Sequence, residues 1–228
     1  MVLNIANGTA LKEYLTDKYA NDEKIISFNE SMITGKSSET VFNDEFFRVR
    51  AKSLGINYDQ YLQITVAELD ELLNKAHSKI VLWFDEDMFC QINLLTLYAY
   101  LDSTHFDGEV RLNIIPQNFY QYNVGDIVIK SYELNVKGYY SIYKDVMIRN
   151  VFTKNKFPVL EEMQKGIRLY ENYISDNSEI RAAIKKMVQN NQSKLYIIKE
   201  IIEKYSNYGI GDYNIELLYN KETLRDSE

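Results

Sequence analysis

One segment constrains the fold of this 228-residue chain more than any other. Residues 79–84 read Lys-Ile-Val-Leu-Trp-Phe, so five consecutive apolar residues make a run of strand length. Continuous rather than alternating hydrophobicity is typical of a strand buried on both faces of a parallel sheet. Three acidic residues follow at once, and an apolar segment over 88–101 then predicts a helix. This strand–helix unit indicates an α/β layered domain.

Three other segments have the apolar character of strands, and helical patterns separate them. Strands are predicted over residues 2–6, 24–28 and 109–115. Helices are predicted after Thr9, which would cap the first of them, and over 39–54 and 58–77. After Pro116 the pattern loosens, and residues 127–129 read either as a short strand or as an extended connector. Later helices are predicted over 159–174, 178–189 and 193–205 and after Gly211, with Asp176 and Ser178 as caps and Gly209 as a stop.

The sequence therefore predicts a Rossmann-like, three-layer α/β domain with a mostly parallel sheet, followed by an all-helical C-terminal region. The expected boundaries are residues 1–118 for the α/β domain, 119–155 for a connector and 156–228 for the helical domain.

Composition narrows the functional classes. Cys90 is the only cysteine, which excludes an intrachain disulfide. The first eight residues lack the features of a signal peptide, and no apolar run is long enough to span a membrane, so we expect a cytoplasmic protein. The net charge of −7 argues against broad binding of a nucleic-acid backbone, and we expect no nucleic-acid partner.

Polar clusters follow three of the predicted strands. They are Asn7-Gly8-Thr9, Asn29-Glu30-Ser31 and Asp85-Glu86-Asp87. In an open parallel sheet, ligands bind beyond the carboxyl ends of the strands. We therefore expect the three clusters to meet at one ligand site.

The acidic cluster has two interpretations. Asp85 and Asp87 could share a Mg²⁺ ion, with Glu30 as a third ligand or a general base. Alternatively, acids at the start of a helix cap its free amides and interact favourably with its dipole. The residue sequence alone leaves both open.

Other polar residues add to the predicted site or are set aside. The backbone at Asn7-Gly8 could approach an anion at a helix start, and one of Arg48 and Arg50, Arg50 in the predicted site, could point inward toward an acidic or phosphate group. Residues 35–38, Gly-Lys-Ser-Ser, lack the first glycine of a phosphate-binding loop. His77 and His105 are not in metal-ligand spacing, and a histidine-based triad is not expected.

Two short motif resemblances bear on the acids. A buried strand that ends in Asp-x-Asp resembles haloacid-dehalogenase-like phosphatases, which would make Asp85 the nucleophile and Asp87 the acid. A strand ending in Glu30 followed by a later strand ending in Asp85 and Asp87 resembles toprim domains, which bind Mg²⁺ for phosphodiester chemistry.

A longer resemblance spans most of the chain. The run from Trp83 to Leu95, which includes Glu86 and Gln91, resembles the signature of a bacterial family known as domain of unknown function 1835 (DUF1835). Weaker matches are Asn7-Gly8, Phe28-Asn29-Glu30 with Gly35, Arg50 with Leu54 and Tyr61, and residues 209–211 with Leu217. The chain departs from the family pattern where Asp85 replaces Glu, Glu86 replaces His and Thr9 replaces Asp. Longer relatives continue into a region resembling a helix-turn-helix.

Two functions follow as expectations, and whether the protein is an enzyme is left open. The first is binding of a nucleotide or other phosphorylated small molecule, with Mg²⁺-dependent phosphoryl or phosphodiester chemistry as the reaction to test. Its ligand-binding residues would be Asn7, Gly8, Thr9, Arg50, Glu86 and Gln91; its catalytic residues would be Glu30, Asp85 and Asp87, the last two holding the metal. The second is a regulatory or interaction module, related to transcription by its resemblance to a truncated helix-turn-helix. Its C-terminal helices would dock a protein partner or form a homodimer through Tyr170, Tyr173, Tyr196, Tyr205 and Tyr208.

Overall fold

A mostly parallel β-sheet organises the first part of the chain, as the sequence predicts. The computed structural model describes residues 1–18, 23–123, 126–152 and 159–225. Strands among them are β1 (Val2–Ala6), β2 (Lys24–Ser27), β3 (Lys79–Phe84), β4 (Glu109–Ile114) and β5 (Lys130–Leu134). Their order in the sheet is β2-β1-β3-β4-β5, in which β5 is antiparallel to β4 and all other pairs are parallel.

Helices connect the first four strands, and one more follows β5. They are α1 (Thr9–Lys18), α2 (Asp44–Leu54), α3 (Tyr58–Tyr61), α4 (Ala67–Asn74), α5 (Met88–Ser103) and α6 (Tyr139–Tyr143). A π-helical turn, Leu62–Val66, joins α3 to α4, and another, Lys144–Arg149, follows α6. Four further helices have about the lengths expected from the sequence. They are α7 (Glu161–Ile174), α8 (Glu179–Gln189), α9 (Lys194–Lys204) and α10 (Asp212–Arg225).

The chain divides into two compact units. The α/β unit comprises Met1–Glu86 and Asn93–Val151, and the helical unit comprises Asp87–Ile92 and Phe152–Glu228. The α/β unit therefore continues beyond residue 118, where the sequence placed its end. It does so because β5 pairs with β4 over five residues and Ile127 is fully buried in the core.

The strand order reverses direction between β1 and β3. The connection through α1 leads from β1 outward to β2, whereas the connection through α5 leads from β3 outward to β4 on the other side. Because parallel crossovers are right-handed, the two connections cover opposite faces of the sheet. A reversal of this kind opens a crevice at the carboxyl ends of the two central strands.

Both faces of the central strands are buried, as the continuous hydrophobicity of residues 80–84 predicts. On the α1 face, Val81 and Trp83 pack with Ala6, Leu11 and Leu15. The indole Nε1 of Trp83 donates to Oδ1 of Asn4 on the neighbouring strand over 3.0 Å, so its polar atom is satisfied within the core. The alternate residues of β3, Ile80, Leu82 and Phe84, are at most 1% exposed.

Two predicted helices begin or end elsewhere. The helix expected from residue 39 begins at Asp44, because Oδ1 of Asn43 accepts a hydrogen bond from the amide of Phe46 and caps it. The helix expected over 58–77 is interrupted by the π-helical turn and ends at Asn74. Phe42 has a φ of +58°, a left-handed conformation that ends any helical run before the cap.

The helical unit has its own core. Its buried residues include Met163, Ile167, Ile180, Ile184, Ile197, Ile201, Tyr208 and Ile215. On α7, α8 and α9 the named residues lie four positions apart, the helical periodicity from which these helices were predicted. Within the described residues, no helix is long and apolar enough to cross a membrane.

Candidate functional site

The turn after β1 lies at the crevice between β1 and β3. The amide of Asn7 donates to the carbonyl of Trp83 over 3.1 Å, which extends the pairing of the two strands by one residue. Gly8 then turns the chain with a φ of +94°, and its amide returns to the carbonyl of Ala6 at 2.9 Å. A Cβ atom added at Gly8 would meet no atom within 4 Å, so a ligand can approach the backbone there.

The start of α1 is exposed beside this turn. The amide of Lys12 donates to the carbonyl of Gly8, so Gly8 is the residue that precedes the helix and Thr9 is its first residue. This corrects the predicted cap at Thr9, whose hydroxyl instead donates to Oδ1 of Asn29 over 3.1 Å. Thr9 and Ala10 are both exposed, which leaves the positive end of the α1 dipole facing solvent.

Asn93 on α5 connects the turn after β1 to the segment after β2. Its Nδ2 donates to Oδ1 of Asn7 at 3.1 Å and to the carbonyl of Glu30 at 2.8 Å, while its Oδ1 accepts from the amide of Met32 at 3.0 Å. Asn93 is fully buried. The sequence did not single it out, although an asparagine amid the apolar residues of α5 is a signal that could have done so.

Glu30 and Arg50 form a buried ion pair. An Nη atom of Arg50 lies 2.9 Å from Oε1 of Glu30, and both side chains are completely buried. The hydroxyl of Tyr61 donates to Oε2 over 2.5 Å, and the amide of Ser31 donates to Oε1 over 2.8 Å. Both carboxylate oxygens therefore already accept hydrogen bonds from the protein.

The remaining hydrogen bonds of Arg50 go to backbone carbonyls, whereas its buried Nε has no hydrogen-bond partner among the described residues. Its Nη atoms donate to the carbonyls of Ser31, Thr34 and Lys36 at 2.7 to 2.8 Å. Together with Glu30, these contacts fasten the loop after β2 to α2. This geometry differs from the ligand-contacting roles expected for Glu30 and Arg50, because it uses both groups to hold a loop.

Two tyrosines complete this cluster. Burial and the charge of Glu30 raise the pKa of the Tyr61 phenol well above its ordinary value of 10.0. Burial likewise raises the pKa of Tyr143, whose hydroxyl donates to the carbonyl of Ser38 over 2.8 Å. Both phenols therefore keep their protons, and Tyr61 acts as a donor to the carboxylate. Neither contact follows from a pattern in the sequence.

The acids after β3 divide between the two units. Asp85 and Glu86 end the strand within the α/β unit, where Asp85 is 8% exposed and Glu86 is exposed. The amide of Ile115 donates to the carbonyl of Phe84, so β4 is paired with β3 up to this point. Asp85 and Glu86 thus stand at the carboxyl end of a central strand, as predicted.

Asp87 and Gln91 belong to the helical unit. Oδ1 of Asp87 accepts a hydrogen bond from the amide of Cys90 over 2.7 Å and so caps α5. For this residue the structure therefore shows helix capping, the second of the two interpretations of the acidic cluster. Gly209 packs on Asp87 so closely that an added Cβ would lie 2.3 to 2.4 Å from its carboxylate atoms. Gln91 is 1% exposed and packs similarly against Gly166.

The described part of the chain contains no group of three or more His, Cys, Asp or Glu side chains arranged to hold a metal ion. The three carboxylates that the sequence suggests as metal ligands, Glu30, Asp85 and Asp87, therefore do not form such a group.

Comparisons with models of known families, with curated proteins and with solved structures found no match. The resemblance to the DUF1835 family accordingly stays a prediction.

Proposed function

We propose that the α/β unit binds a nucleotide or another phosphorylated small molecule in the crevice between the carboxyl ends of β1 and β3. The observation that carries the proposal is the reversal of strand order between these two strands. Open α/β sheets bind ligands at such a reversal because the adjacent connections leave in opposite directions and leave the edge uncovered.

The residues at this edge suit a phosphate. The backbone at Gly8 is open to approach, and the exposed first turn of α1 at Thr9 and Ala10 directs amide donors and a positive dipole outward. The segment from Trp83 to Leu95, on which the resemblance to the DUF1835 family rests, starts at the same edge. That family carries no established activity, so it supports the location and not a reaction.

Magnesium enters the proposal only with the phosphate. Asp85 and Glu86 are the carboxylates that end β3 in the α/β unit, and an ion bound by them would complete its ligands with phosphate oxygens. Glu30 is not part of this proposed site, because both its oxygens accept hydrogen bonds from Arg50, Tyr61 and Ser31.

Thermal unfolding tests the proposal directly. Wild type is heated with ATP, GTP, NAD or inorganic phosphate, each with and without Mg²⁺, and binding to the folded state raises the midpoint. In Ala10→Asp a new negative charge at the exposed first turn opposes an anion but interacts favourably with the helix dipole, so affinity falls at least tenfold without loss of stability. Thr16→Asp, in the last turn of the same helix, is the charge-matched control and retains affinity.

Either of two results would overturn this proposal. One is the absence of any midpoint shift across the panel with wild type. The other is equal affinity of Ala10→Asp and Thr16→Asp for the ligand that produces a shift.

A specific observation favours a second function, association through the helical unit. On α9, Leu195, Tyr196 and Ile202 are 79%, 45% and 42% exposed, and Leu195 and Ile202 lie seven residues apart on one face of the helix. Tyr170 and Tyr208, which the sequence placed among the partner-binding tyrosines, are buried core residues instead.

Light scattering during size-exclusion chromatography tests this second function. Wild type would elute as a homodimer, and Leu195→Glu with Ile202→Glu would elute as a monomer with unchanged helicity. A wild-type monomer across micromolar concentrations would remove homodimerisation from consideration. The transcription-related role suggested by the truncated helix-turn-helix stays a prediction.

A further inference from the structure

The segment after β4 carries an exposed aromatic side chain near the carboxyl edge of the sheet. β4 is parallel to β3, and the amide of Ile115 donates to the carbonyl of Phe84, so the chain that follows leaves from the same edge as the turn after β1. A 3₁₀ turn, Phe119–Gln121, comes next. Within it the side chain of Tyr120 is 68% exposed, so most of its ring is open to a ligand.

Contacts with α1 hold this 3₁₀ turn beside the start of that helix. The rings of Phe119 and Tyr14 meet edge to face with their centroids 5.2 Å apart, and the hydroxyl of Tyr14 donates to the carbonyl of Tyr122 over 2.6 Å. Tyr14 and Ala10 are four residues apart on α1, so their side chains share one face, about 5–6 Å from each other. Helical side chains also lean toward the helix amino terminus, which brings the Tyr14 ring toward the exposed first turn. The 3₁₀ turn therefore lies next to the amides proposed to bind phosphate.

Two further contacts fix the position of Tyr120. Its ring packs edge to face on that of Phe119, with the centroids 5.9 Å apart, and Phe119 in turn packs against the core cluster that includes Trp83. Nδ2 of Asn118 donates to Oε1 of Gln121 over 2.9 Å, and the amide of Gln121 donates to the carbonyl of Asn118, which closes the turn. A side chain held in this way loses little conformational freedom when a ligand stacks on it.

We propose that the ligand of the α/β unit is a nucleotide whose base stacks on the ring of Tyr120 while its phosphate binds at the first turn of α1. This inference rests on the proposed function, and it narrows the phosphorylated molecule to one that carries an aromatic base. Stacking on an aromatic side chain tolerates any base, because every base has a π-face. Sugar phosphates and inorganic phosphate lack such a face and bind through the phosphate alone.

Isothermal titration calorimetry with AMP and with ribose 5-phosphate, both in the presence of Mg²⁺, tests the inference, because the two share sugar and phosphate and differ by the base. Wild type should bind AMP about tenfold more tightly than ribose 5-phosphate. Tyr120→Ala should lower the affinity for AMP about tenfold and leave that for ribose 5-phosphate unchanged. Tyr120→Phe keeps the ring and should retain the affinity for AMP. Tyr213→Ala, which replaces a 54% exposed tyrosine on α10, is the matched control and should bind both compounds as wild type does.

The outcomes separate this inference from the proposed function. Equal affinity of wild type for AMP and ribose 5-phosphate, or unchanged affinity for AMP in Tyr120→Ala, overturns stacking on Tyr120 and leaves phosphate binding at α1 standing. Binding of neither compound to wild type overturns both. Because Tyr120 is exposed, Tyr120→Ala should unfold at the wild-type midpoint, so that its loss of affinity reflects binding and not folding.

Discussion

The hydroxyl of Tyr61 lies 2.5 Å from Oε2 of Glu30, and the guanidinium of Arg50 lies 2.9 Å from the other carboxylate oxygen. The three side chains, all buried, come from the loop after β2, from α2 and from α3. They hold the loop after β2 in place, and Asn93 ties the same loop to the turn at Asn7. The shape of the carboxyl edge at β1 thus depends on a buried polar network.

Breaking the ion pair at one partner should be strongly destabilising. Arg50→Met leaves the Glu30 carboxylate buried without its countercharge, and we expect the free energy of unfolding to fall by about 3–5 kcal/mol. Urea denaturation measures this change. Combining Arg50→Met with Glu30→Gln should recover part of the loss, because no uncompensated charge then remains. Equal stability of Arg50→Met and wild type would contradict the role of the pair.

The buried phenols should make the protein sensitive to alkali. The folded-state pKa of Tyr61 is raised above 10.0, so folding favours the protonated phenol. This contribution is fully present below pH 10 and is lost as the pH rises above 10, where the unfolded chain releases the proton and the folded chain does not. The loss should approach about 1.4 kcal/mol per pH unit for each such tyrosine.

Urea denaturation between pH 8 and 11 measures this slope. In Tyr61→Phe the slope above pH 10 should decrease, although the variant is less stable at neutral pH because it loses a hydrogen bond to a carboxylate, worth about 1.5–3 kcal/mol. An unchanged slope in Tyr61→Phe would show that the pKa of Tyr61 does not differ between the folded and unfolded states.

Gly209 and Asp87 should show coupled effects on stability. Gly209→Ala puts an alanine at a backbone φ of +63° and places its Cβ against the Asp87 carboxylate. The free energy of unfolding should therefore fall by more than about 1 kcal/mol. Asp87→Ala removes the cap at the amide of Cys90, at a cost of about 0.5–2 kcal/mol. The double variant should be more stable than the sum of the two changes predicts, because shortening Asp87 relieves the clash. Additive effects in chemical denaturation would argue against the close packing.

Replacing Asn93 should destabilise the loop after β2 more than the core of the sheet. Asn93→Leu has a similar volume but leaves the amide of Met32 and the carbonyl of Glu30 without their side-chain partners, each costing about 1–3 kcal/mol. Hydrogen exchange should then accelerate at Met32 while the amides of β3 stay protected. The neighbouring Leu94→Met, which is also fully buried, is the control and should leave exchange at Met32 unchanged.

Elements with a strong hydrophobic pattern could be predicted from the sequence. The strand β3 is apolar at five consecutive positions, and the helices of the C-terminal region place isoleucines at three- and four-residue spacing. The strand β5 escaped prediction because its residues, Lys-Ser-Tyr-Glu-Leu, are exposed or half-buried, and its conformation comes from pairing with β4. Pairing between strands that are separated in sequence leaves no hydrophobic pattern in the residues of the strand itself.

The site was harder to predict than the fold. The positions of Asn7, Gly8 and Asp85 at strand ends follow from the strand pattern. The pairing of Glu30 with Arg50 does not follow from that pattern. The two residues are 20 positions apart, outside any helix or strand periodicity, and either a ligand or another residue of the protein can pair with a charged side chain. Asp85 and Asp87 also look equivalent in sequence, whereas in the structure Asp87 caps α5 by accepting from the amide of Cys90.

The central claim is that a phosphorylated ligand binds at the carboxyl ends of β1 and β3, and amide chemical-shift mapping tests it most directly. Uniformly ¹⁵N-labelled protein is titrated with the nucleotide that most raises the unfolding midpoint, with Mg²⁺ present. The account predicts that the largest saturable shifts fall at Gly8, Thr9 and Ala10, with further shifts at Asp85 and Glu86. Shifts confined to other parts of the chain, or no saturable shifts with any member of the panel, would contradict it.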